Sequence, residues 1–316
     1  MLALVLNGTP RVTELPAPVP AAGEALVRVV VAGVCNTDIE LLKGYMGFSG
    51  VPGHEFVGIV EHASNSHLIG KRVVGEINCV CRRCRYCQNE MPHHCLDRTV
   101  LGIYKRNGAF AEYLPLPEDN LHMVPDGVPD EVAVFTEPTA AAFRIGEQLD
   151  IAPNDRIVVL GDGKLGQLVA QVLYLRTKRI VCVGKHPWKL ELLNRLRIPT
   201  SLTGDPVEPG ADIVVEATGA PDGLSRAFEL VRPEGVIVLK TTVAGPSKCS
   251  LNHPVINEVT IVGSRCGPFR PALEALTLGT VEVRSMISET LPLREAVLAL
   301  QRATDPSIMK VLIRMQ

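Results

Sequence analysis

The sequence predicts an α/β protein in which a β-rich part precedes a doubly wound parallel sheet, and three observations carry this prediction. In residues 155–263, short apolar runs alternate with helical stretches, which is typical of parallel strands covered by helices on both faces. Residues 2–60 instead contain short β-branched runs broken by proline and glycine, as in irregular β-structure. The third observation is a glycine-rich turn at residues 161–166, between a strand and a helix.

Composition limits the possible functions. The chain has 316 residues, enough for two domains, with 46% hydrophobic residues and a net charge of -2. An isoelectric point of about 6.5 and 4% aromatic residues argue against a nucleic-acid partner. Since neither a basic leader nor a membrane-length apolar run is visible, we expect a cytoplasmic protein without a membrane partner. Nine cysteines in such a chain favour metal ligands or reduced thiols over disulfides.

The individual elements follow from hydrophobic spacing. In the β-rich part we predict strands at residues 26–32, 56–61 and 72–74, and a helix at 130–147 in which Pro138 marks a start or a kink. The remaining predicted strands and helices cover the second half of the chain: strands 156–160, 179–183, 212–216, 236–239, 259–262 and 311–314, and helices 165–175, 188–196, 223–231, 271–278 and 293–303.

A first group of metal-binding residue types lies between Gly33 and Gly58. It contains Cys35, His54 and Glu55, with Thr37 and Asp38 nearby. A thiolate, an imidazole and carboxylates suit a catalytic zinc, which keeps one position open for substrate. Taken singly, the cysteine is more often a small buried residue and the histidine an ordinary loop residue, so this group needs support from the rest of the chain.

A second group has stronger spacing. Four cysteines form a C-x2-C-x2-C-x7-C array in a loop without strands: Cys81, Cys84, Cys87 and Cys95. Four thiolates close a tetrahedron around one Zn²⁺ and leave no position for chemistry, so we predict a structural zinc. The alternative is a set of reduced surface cysteines. Cys79 falls outside the spacing, and His93 and His94 are interpreted as exposed loop residues that are able in principle to replace a ligand.

The glycine-rich turn predicts a dinucleotide site. Gly161 permits a tight turn, Gly163 lets the backbone approach a pyrophosphate, and Gly166 lets the helix pack on the strand. The pyrophosphate then lies at the helix N-terminus, where free N–H groups and the helix dipole favour an anion. The alternative is a chance glycine-rich turn.

Together these motifs resemble the zinc-dependent alcohol dehydrogenases of the medium-chain dehydrogenase/reductase family. The similarity is carried, in family order, by residues 33–38, 53–58, the four-cysteine array, Glu137-Pro138, 161–166 and 214–219. It implies a GroES-like catalytic domain at 1–139 and 264–316, interrupted by a Rossmann dinucleotide-binding domain at 140–263. It also implies a homodimer or homotetramer.

The resemblance further implies roles for single residues. Cys35 and His54 become ligands of the catalytic zinc, and Glu137 takes the third ligand position, as in polyol, glucose and threonine dehydrogenases of the family. Glu55 is similar to the glutamate behind the metal, which is able to ligate in place of water. Thr37 passes on the substrate proton. The cofactor contacts implied by the two nucleotide motifs are Gly161, Gly163, Lys164, Leu165, Gly166 and Thr218.

Two positions complicate these roles. Asp38 resembles the carboxylate that hydrogen-bonds a zinc-bound imidazole, although a helix N-cap is an alternative role for it. Glu40 stands where some members of the family carry the last histidine of the proton relay, so the relay is predicted only as far as Thr37.

The predicted function is hydride transfer between a nicotinamide cofactor and an alcohol or carbonyl of the polyol, sugar or secondary-alcohol class. One alternative is a family member without alcohol dehydrogenase activity, which reduces activated double bonds or only binds nucleotide. Another is a zinc-ribbon-like protein that binds nucleic acid. That second alternative leaves the glycine-rich turn unexplained and requires a basic surface.

The residues after the second strand of the nucleotide domain favour NADP(H) over NAD(H). Gly184 stands where an NAD enzyme usually carries an acid for the ribose 2′-hydroxyl. Lys185, His186 and Lys189 follow as candidate partners of a 2′-phosphate. The alternative is that these are solvated residues at a helix start, or that the strand ends one residue away from Gly184.

Overall fold

The structure of the chain is a computed structural model that describes residues 1–241, 249–250 and 252–315. Its strands, in chain order, are β1 Leu2–Val5, β2 Arg11–Glu14, β3 Glu24–Gly33, β4 Glu55–His62, β5 Arg72–Gly75, β6 Asn78–Cys79, β7 Thr99–Leu101, β8 Lys105–Arg106, β9 Tyr113–Pro117, β10 Leu121–Met123, β11 Ile157–Leu160, β12 Ile180–Gly184, β13 Thr200–Leu202, β14 Ala211–Glu216, β15 Val231–Leu239, β16 Thr260–Gly263, β17 Ile287–Pro292 and β18 Lys310–Arg314.

The helices alternate with strands mainly in the second half of the chain. They are α1 Asn36–Leu42, α2 Arg85–Gln88, α3 Asp130–Ala133, α4 Thr136–Gln148, α5 Lys164–Tyr174, α6 Pro187–Arg195, α7 Gly223–Leu230, α8 Asn252–Ile256, α9 Phe269–Thr277 and α10 Ala296–Arg302. Within the described part of the chain, none of them has the length and apolar character that crossing a bilayer requires.

Two compact units make up the chain. One combines Met1–Glu137 with Ala272–Gln316, and the other is Pro138–Pro271. The discontinuous unit contains the β-rich part, and the continuous unit contains the glycine-rich turn. The domain limits drawn from the sequence, 139/140 and 263/264, stay a prediction.

The discontinuous unit is built on a mostly antiparallel sheet in the order β10-β5-β4-β3-β18-β17, with β9 also paired to β3. Alternate residues of β3, namely Ala25, Val27, Val29 and Val31, are almost completely buried, as the two-residue period of a strand requires. The late strand β18 is antiparallel to the end of β3, with Leu312 opposite Gly33. Distant parts of the sequence therefore meet where β3 ends.

The continuous unit is a six-stranded sheet in the order β13-β12-β11-β14-β15-β16, parallel throughout. All four residues of β11 are buried, which fits a strand covered on both faces. Numbered within the unit, the strand order is 3-2-1-4-5-6, the Rossmann arrangement, and the order reverses between β11 and β14. The predicted α/β class and its Rossmann sheet are thereby confirmed.

Most predicted elements agree with the structure within a few residues, and one helix does not. The helix predicted at 130–147 is two helices, α3 and α4, and the hydroxyl of Thr136 donates to the carbonyl of Ala133 where they meet. Pro138 lies in the first turn of α4, where its missing N–H group costs no helical hydrogen bond.

Candidate functional site

Pairing of β3 with β4 brings the first metal-binding group together. Gly33 at the end of β3 is the register partner of Glu55 at the start of β4. Cys35 follows two residues after Gly33, and His54 directly precedes Glu55. One ligand atom each from Cys35, His54 and Glu55 therefore lies within 4.8 Å of the others, in a region where the imidazole and the carboxylate are buried. A soft, an intermediate and a hard ligand in one buried group suit a zinc ion.

Asp38 holds this group in place. One of its carboxylate oxygens accepts the N–H of Cys35 at 2.8 Å, and the other accepts the N–H of Gly53 at 3.2 Å. That second oxygen also lies 3.4 Å from Nδ1 of His54. Burial is the largest single influence on the pKa of His54 and lowers it, but charge attraction and hydrogen bonding from Asp38 and Cys35 together outweigh burial, so the pKa lies well above its usual range. Asp38 therefore both caps α1 and faces the imidazole.

A buried lysine from the far end of the chain completes the group. Lys310, in β18, forms an ion pair with Glu55, and both side chains are 1% exposed. A Cβ atom on Gly33 would lie 2.4 Å from Oε2 of Glu55 and 2.9 Å from Cε of Lys310. A side chain at this position would displace the pair from its present arrangement. No sequence pattern points to Lys310, because 255 residues separate it from Glu55.

Of the other two residues predicted for this site, Thr37 lies beside the group and Glu137 lies outside it. Oγ1 of Thr37 lies 3.6 Å from Sγ of Cys35, so the structure brings this hydroxyl to the group. Glu137 lies in the first turn of α4 and is not part of the group whose ligand atoms lie within 4.8 Å of one another. The carboxylate that the structure brings to Cys35 and His54 is that of Glu55. Glu40, in place of the relay histidine, pairs with Lys43 at 2.7 Å.

The four-cysteine array forms a second, separate group in which the ligand atoms lie within 4.8 Å of one another. Sγ of Cys84 lies 3.6 Å from that of Cys87, and Sγ of Cys95 lies 3.5 Å from that of Cys81. A tetrahedron with Zn–S bonds of about 2.3 Å has edges of roughly 3.8 Å, so a zinc ion fits with small adjustments. Backbone N–H groups of Cys87 and Leu96 lower the pKa of Cys84 to about 6.

The neighbours of this group stay outside it. Burial raises the pKa of Cys79 to about 11, and this thiol is not part of the group. His94 is exposed, and Nδ1 of His93 pairs with the amide of Asn78 at 3.3 Å. No disulfide joins the cysteines, all nine of which lie in the described part of the chain.

The glycine-rich turn of the continuous unit has the geometry of a phosphate-binding loop. Gly161 has φ +114°, and a Cβ on it would lie 2.5 Å from the carbonyl oxygen of Ala217, beside Thr218. A Cβ on Gly166 would lie 1.9 Å from the carbonyl oxygen of Gly161, whereas a Cβ on Gly163 meets nothing within 4 Å. The first and third glycines are thus required by packing. The second borders open space at the start of α5, where Lys164 and Leu165 form the first turn, and a dinucleotide pyrophosphate fits there.

The segment after β12 carries the basic residues. Gly184 is the last residue of β12, and His186 is the N-cap of α6. Lys185 is exposed, whereas Lys189 is 8% exposed and is therefore not a solvated surface residue. Burial lowers the pKa of Lys189; the nearby Asp162 carboxylate opposes this, and Lys185 adds to it. Asp162, to which no sequence pattern points, therefore lies close to this basic group.

Two family models match the chain in the places that this geometry indicates. The model "Alcohol dehydrogenase GroES-like domain" matches residues 21–126, and the model "Zinc-binding dehydrogenase" matches residues 165–278. The chain is a zinc-dependent dehydrogenase of the medium-chain family. It is thus an oxidoreductase, as the sequence predicts.

The relatives of this medium-chain dehydrogenase agree in length and fold. Sorbitol dehydrogenase of Halalkalibacterium halodurans is 27% identical, over 96% of this chain and 94% of its own. A zinc-binding dehydrogenase from Sinorhizobium meliloti, solved bound to NADP, is 25% identical with a TM-score of 0.89, covering 99% of this chain and 98% of that one. The alcohol dehydrogenase RspB from Escherichia coli, solved with NADH, shares the fold with a TM-score of 0.91 at 24% identity, over 100% and 99% of the two chains.

Proposed function

We propose that this medium-chain dehydrogenase oxidises a polyol or related secondary alcohol to the carbonyl compound and transfers the hydride to NADP⁺. The observation that carries the proposal is the buried group of Cys35, His54 and Glu55, whose ligand atoms lie within 4.8 Å of one another. The substrate class is supported by sorbitol dehydrogenase and erythritol/L-threitol dehydrogenase among the relatives. Oxidation yields the carbonyl compound, reduced cofactor and one proton.

The proposed roles follow from the contacts. Cys35, His54 and Glu55 hold the zinc, which when bound supplies Lewis-acid polarisation of the substrate oxygen. Asp38 orients the imidazole, since it lies 3.4 Å from Nδ1. Thr37, 3.6 Å from Sγ of Cys35, receives the proton that the alcohol loses and passes it towards solvent.

A second zinc is proposed for the four-cysteine group, which is closed by four thiolates and therefore has a structural role. The loop of Gly161, Gly163 and Gly166 binds the pyrophosphate, with Thr218 beside it. Lys185, His186 and Lys189 select the 2′-phosphate of NADP(H). The homodimer or homotetramer and the cytoplasmic location stay predictions.

The test is a panel of polyols, sugars and secondary alcohols with each cofactor, followed through the absorbance of reduced nicotinamide. We expect turnover with a polyol, and a loss of at least about 10³-fold in Cys35→Ala with nucleotide binding retained, because metal polarisation contributes several kcal/mol. Wild-type activity in this variant or in zinc-stripped protein would contradict the proposal.

A matched pair of variants tests which carboxylate binds the zinc. Glu55 is the carboxylate next to Cys35 and His54, whereas Glu137 is the ligand that the family resemblance implies. We expect Glu55→Gln to lower the content of exchangeable zinc and Glu137→Gln to leave it near the wild-type value. Metal analysis after brief chelation measures this, and the reverse pattern would assign the third ligand to Glu137.

A further inference from the structure

The end of β12 has no side chain because another residue occupies its space. A Cβ on Gly184 would lie 2.4 Å from Cβ of Asp162 and 2.5 Å from its Oδ2. Asp162 belongs to the glycine-rich turn, between Gly161 and Gly163. The place where an acid usually extends from the second strand is thus filled by a carboxylate from the preceding loop. The missing acid at Gly184 does not leave this region without a negative charge.

This carboxylate is already engaged by His186. Its Oδ2 accepts the backbone N–H of His186 at 2.7 Å, and Nδ1 of the imidazole lies 3.0 Å from Oδ2 and 3.1 Å from Oδ1. The Asp162 side chain is 8% exposed and that of His186 is 23% exposed. Because a carboxylate only accepts hydrogen bonds, Nδ1 carries the proton in this contact. Nε2 is left for another partner, and it has none among the residues that the structure describes.

The surroundings are basic on balance. Lys185 is exposed directly before His186, and Lys189 lies in the first turn of α6. Asp162 and Lys185 both act electrostatically on Lys189, so these three charges lie near one another. A group with two lysines, one imidazole and one carboxylate that is already hydrogen-bonded favours an anionic ligand over a neutral hydroxyl.

We infer that Asp162 is a positioning residue for cofactor selection, which orients His186 so that its Nε2 and the Lys185 ammonium meet the 2′-phosphate of NADP(H). The inference rests on the NADP(H) use proposed above and adds the reason for Gly184 at this position. The competing possibility is that Asp162 itself binds the ribose 2′-hydroxyl and repels a 2′-phosphate. The two possibilities predict opposite effects of removing the carboxylate.

The experiment measures binding of 2′,5′-ADP and of 5′-AMP to the holoenzyme by calorimetry, so it needs no turnover. We expect the wild type to prefer 2′,5′-ADP, and Asp162→Ala and His186→Ala each to weaken its binding about tenfold, the usual value of one hydrogen bond to a charged group. Binding of 5′-AMP should stay unchanged. The double variant should lose no more than either single variant, because both act through one imidazole.

Asp162→Asn is the conservative control, since its amide oxygen still accepts one N–H group, and it should lose less than Asp162→Ala. If Asp162→Ala binds 2′,5′-ADP as tightly as the wild type or more tightly, the positioning role is wrong. A wild type that prefers 5′-AMP would overturn the NADP(H) proposal together with this inference. The expected binding pattern without turnover of any alcohol would overturn only the proposed oxidation.

Discussion

The two metal-binding groups of the discontinuous unit are assembled in different ways. The four cysteines come from 15 consecutive residues, Cys81 to Cys95, and carry all four ligands of a closed site. Cys35, His54 and Glu55 depend on the register of β3 with β4, and Glu55 also depends on Lys310 from β18. The first group is a local feature of the sequence, whereas the second is a product of the folded sheet. In the function proposed above, the first therefore supports folding and the second leaves room for substrate.

Removal of a thiolate from the closed group should have the largest effect on stability. We expect Cys84→Ser to lose one zinc per chain and on the order of 5 kcal/mol of the free energy of unfolding, since a structural zinc contributes its binding energy to folding. Denaturant unfolding with metal analysis measures both. His94→Gln, a change at an exposed residue beside the group, is the matched control and should keep the zinc. Equal stability of Cys84→Ser and wild type would remove the distinction between the two groups.

A smaller loss of the free energy of unfolding is expected when Lys310, the ion-pair partner of Glu55, is replaced. Lys310→Met leaves the buried carboxylate of Glu55 without its partner, and breaking a buried pair from one side costs about 3 kcal/mol. Lys105→Met is the control. Lys105 lies over the ring of Tyr104, as Lys310 lies over that of Phe135, but Lys105 is exposed. Adding Glu55→Gln to Lys310→Met should recover part of the loss in denaturant unfolding. A Lys310→Met protein as stable as the control would show that the ion pair adds nothing.

The smallest expected effect is on the number of protons released when zinc binds to His54. Since the pKa of His54 lies well above its usual range, protons compete with zinc for this imidazole more strongly than they would for an ordinary histidine. Zinc affinity should therefore rise with pH from neutrality up to the pKa of His54. Calorimetry at pH 7 in two buffers should find about one proton fewer released by Asp38→Asn, which lowers this pKa. An equal proton release would mean that Asp38 does not set the protonation of His54.

The sequence was sufficient where the signal is local. The cysteine spacing, the glycine-rich turn and the alternation of strands with helices predict the four-cysteine group, the loop and the sheet. A short strand such as β13 is not recognised from the sequence, because three residues that are half-buried or exposed carry little periodicity.

Contacts between distant segments were beyond sequence reasoning. Lys310 meets Glu55 only because β18 pairs with β3. The space above Gly184 is taken by Asp162 only because the β11–α5 turn lies against the end of β12. In both cases the sequence shows only a glycine, Gly33 or Gly184, at the place where a side chain would collide with the contacting residues. The glycine alone does not tell which side chain occupies the space beside it. At Gly184 that side chain is the Asp162 carboxylate, so the lack of an acid at position 184 does not mean that the region lacks a negative charge.

The position of β18 beside β3 also affects the order of events during synthesis. Residues 31–33, which lead into Cys35, pair with residues 312–314. While the ribosome makes the chain, this edge of β3 has no partner until β18 has emerged from the exit tunnel, and Glu55 has no lysine beside it until then. Pro138–Pro271 is continuous and is complete well before that point. The nucleotide unit is therefore free to fold during translation, whereas the centre around Cys35 is completed only after almost the whole chain has been made.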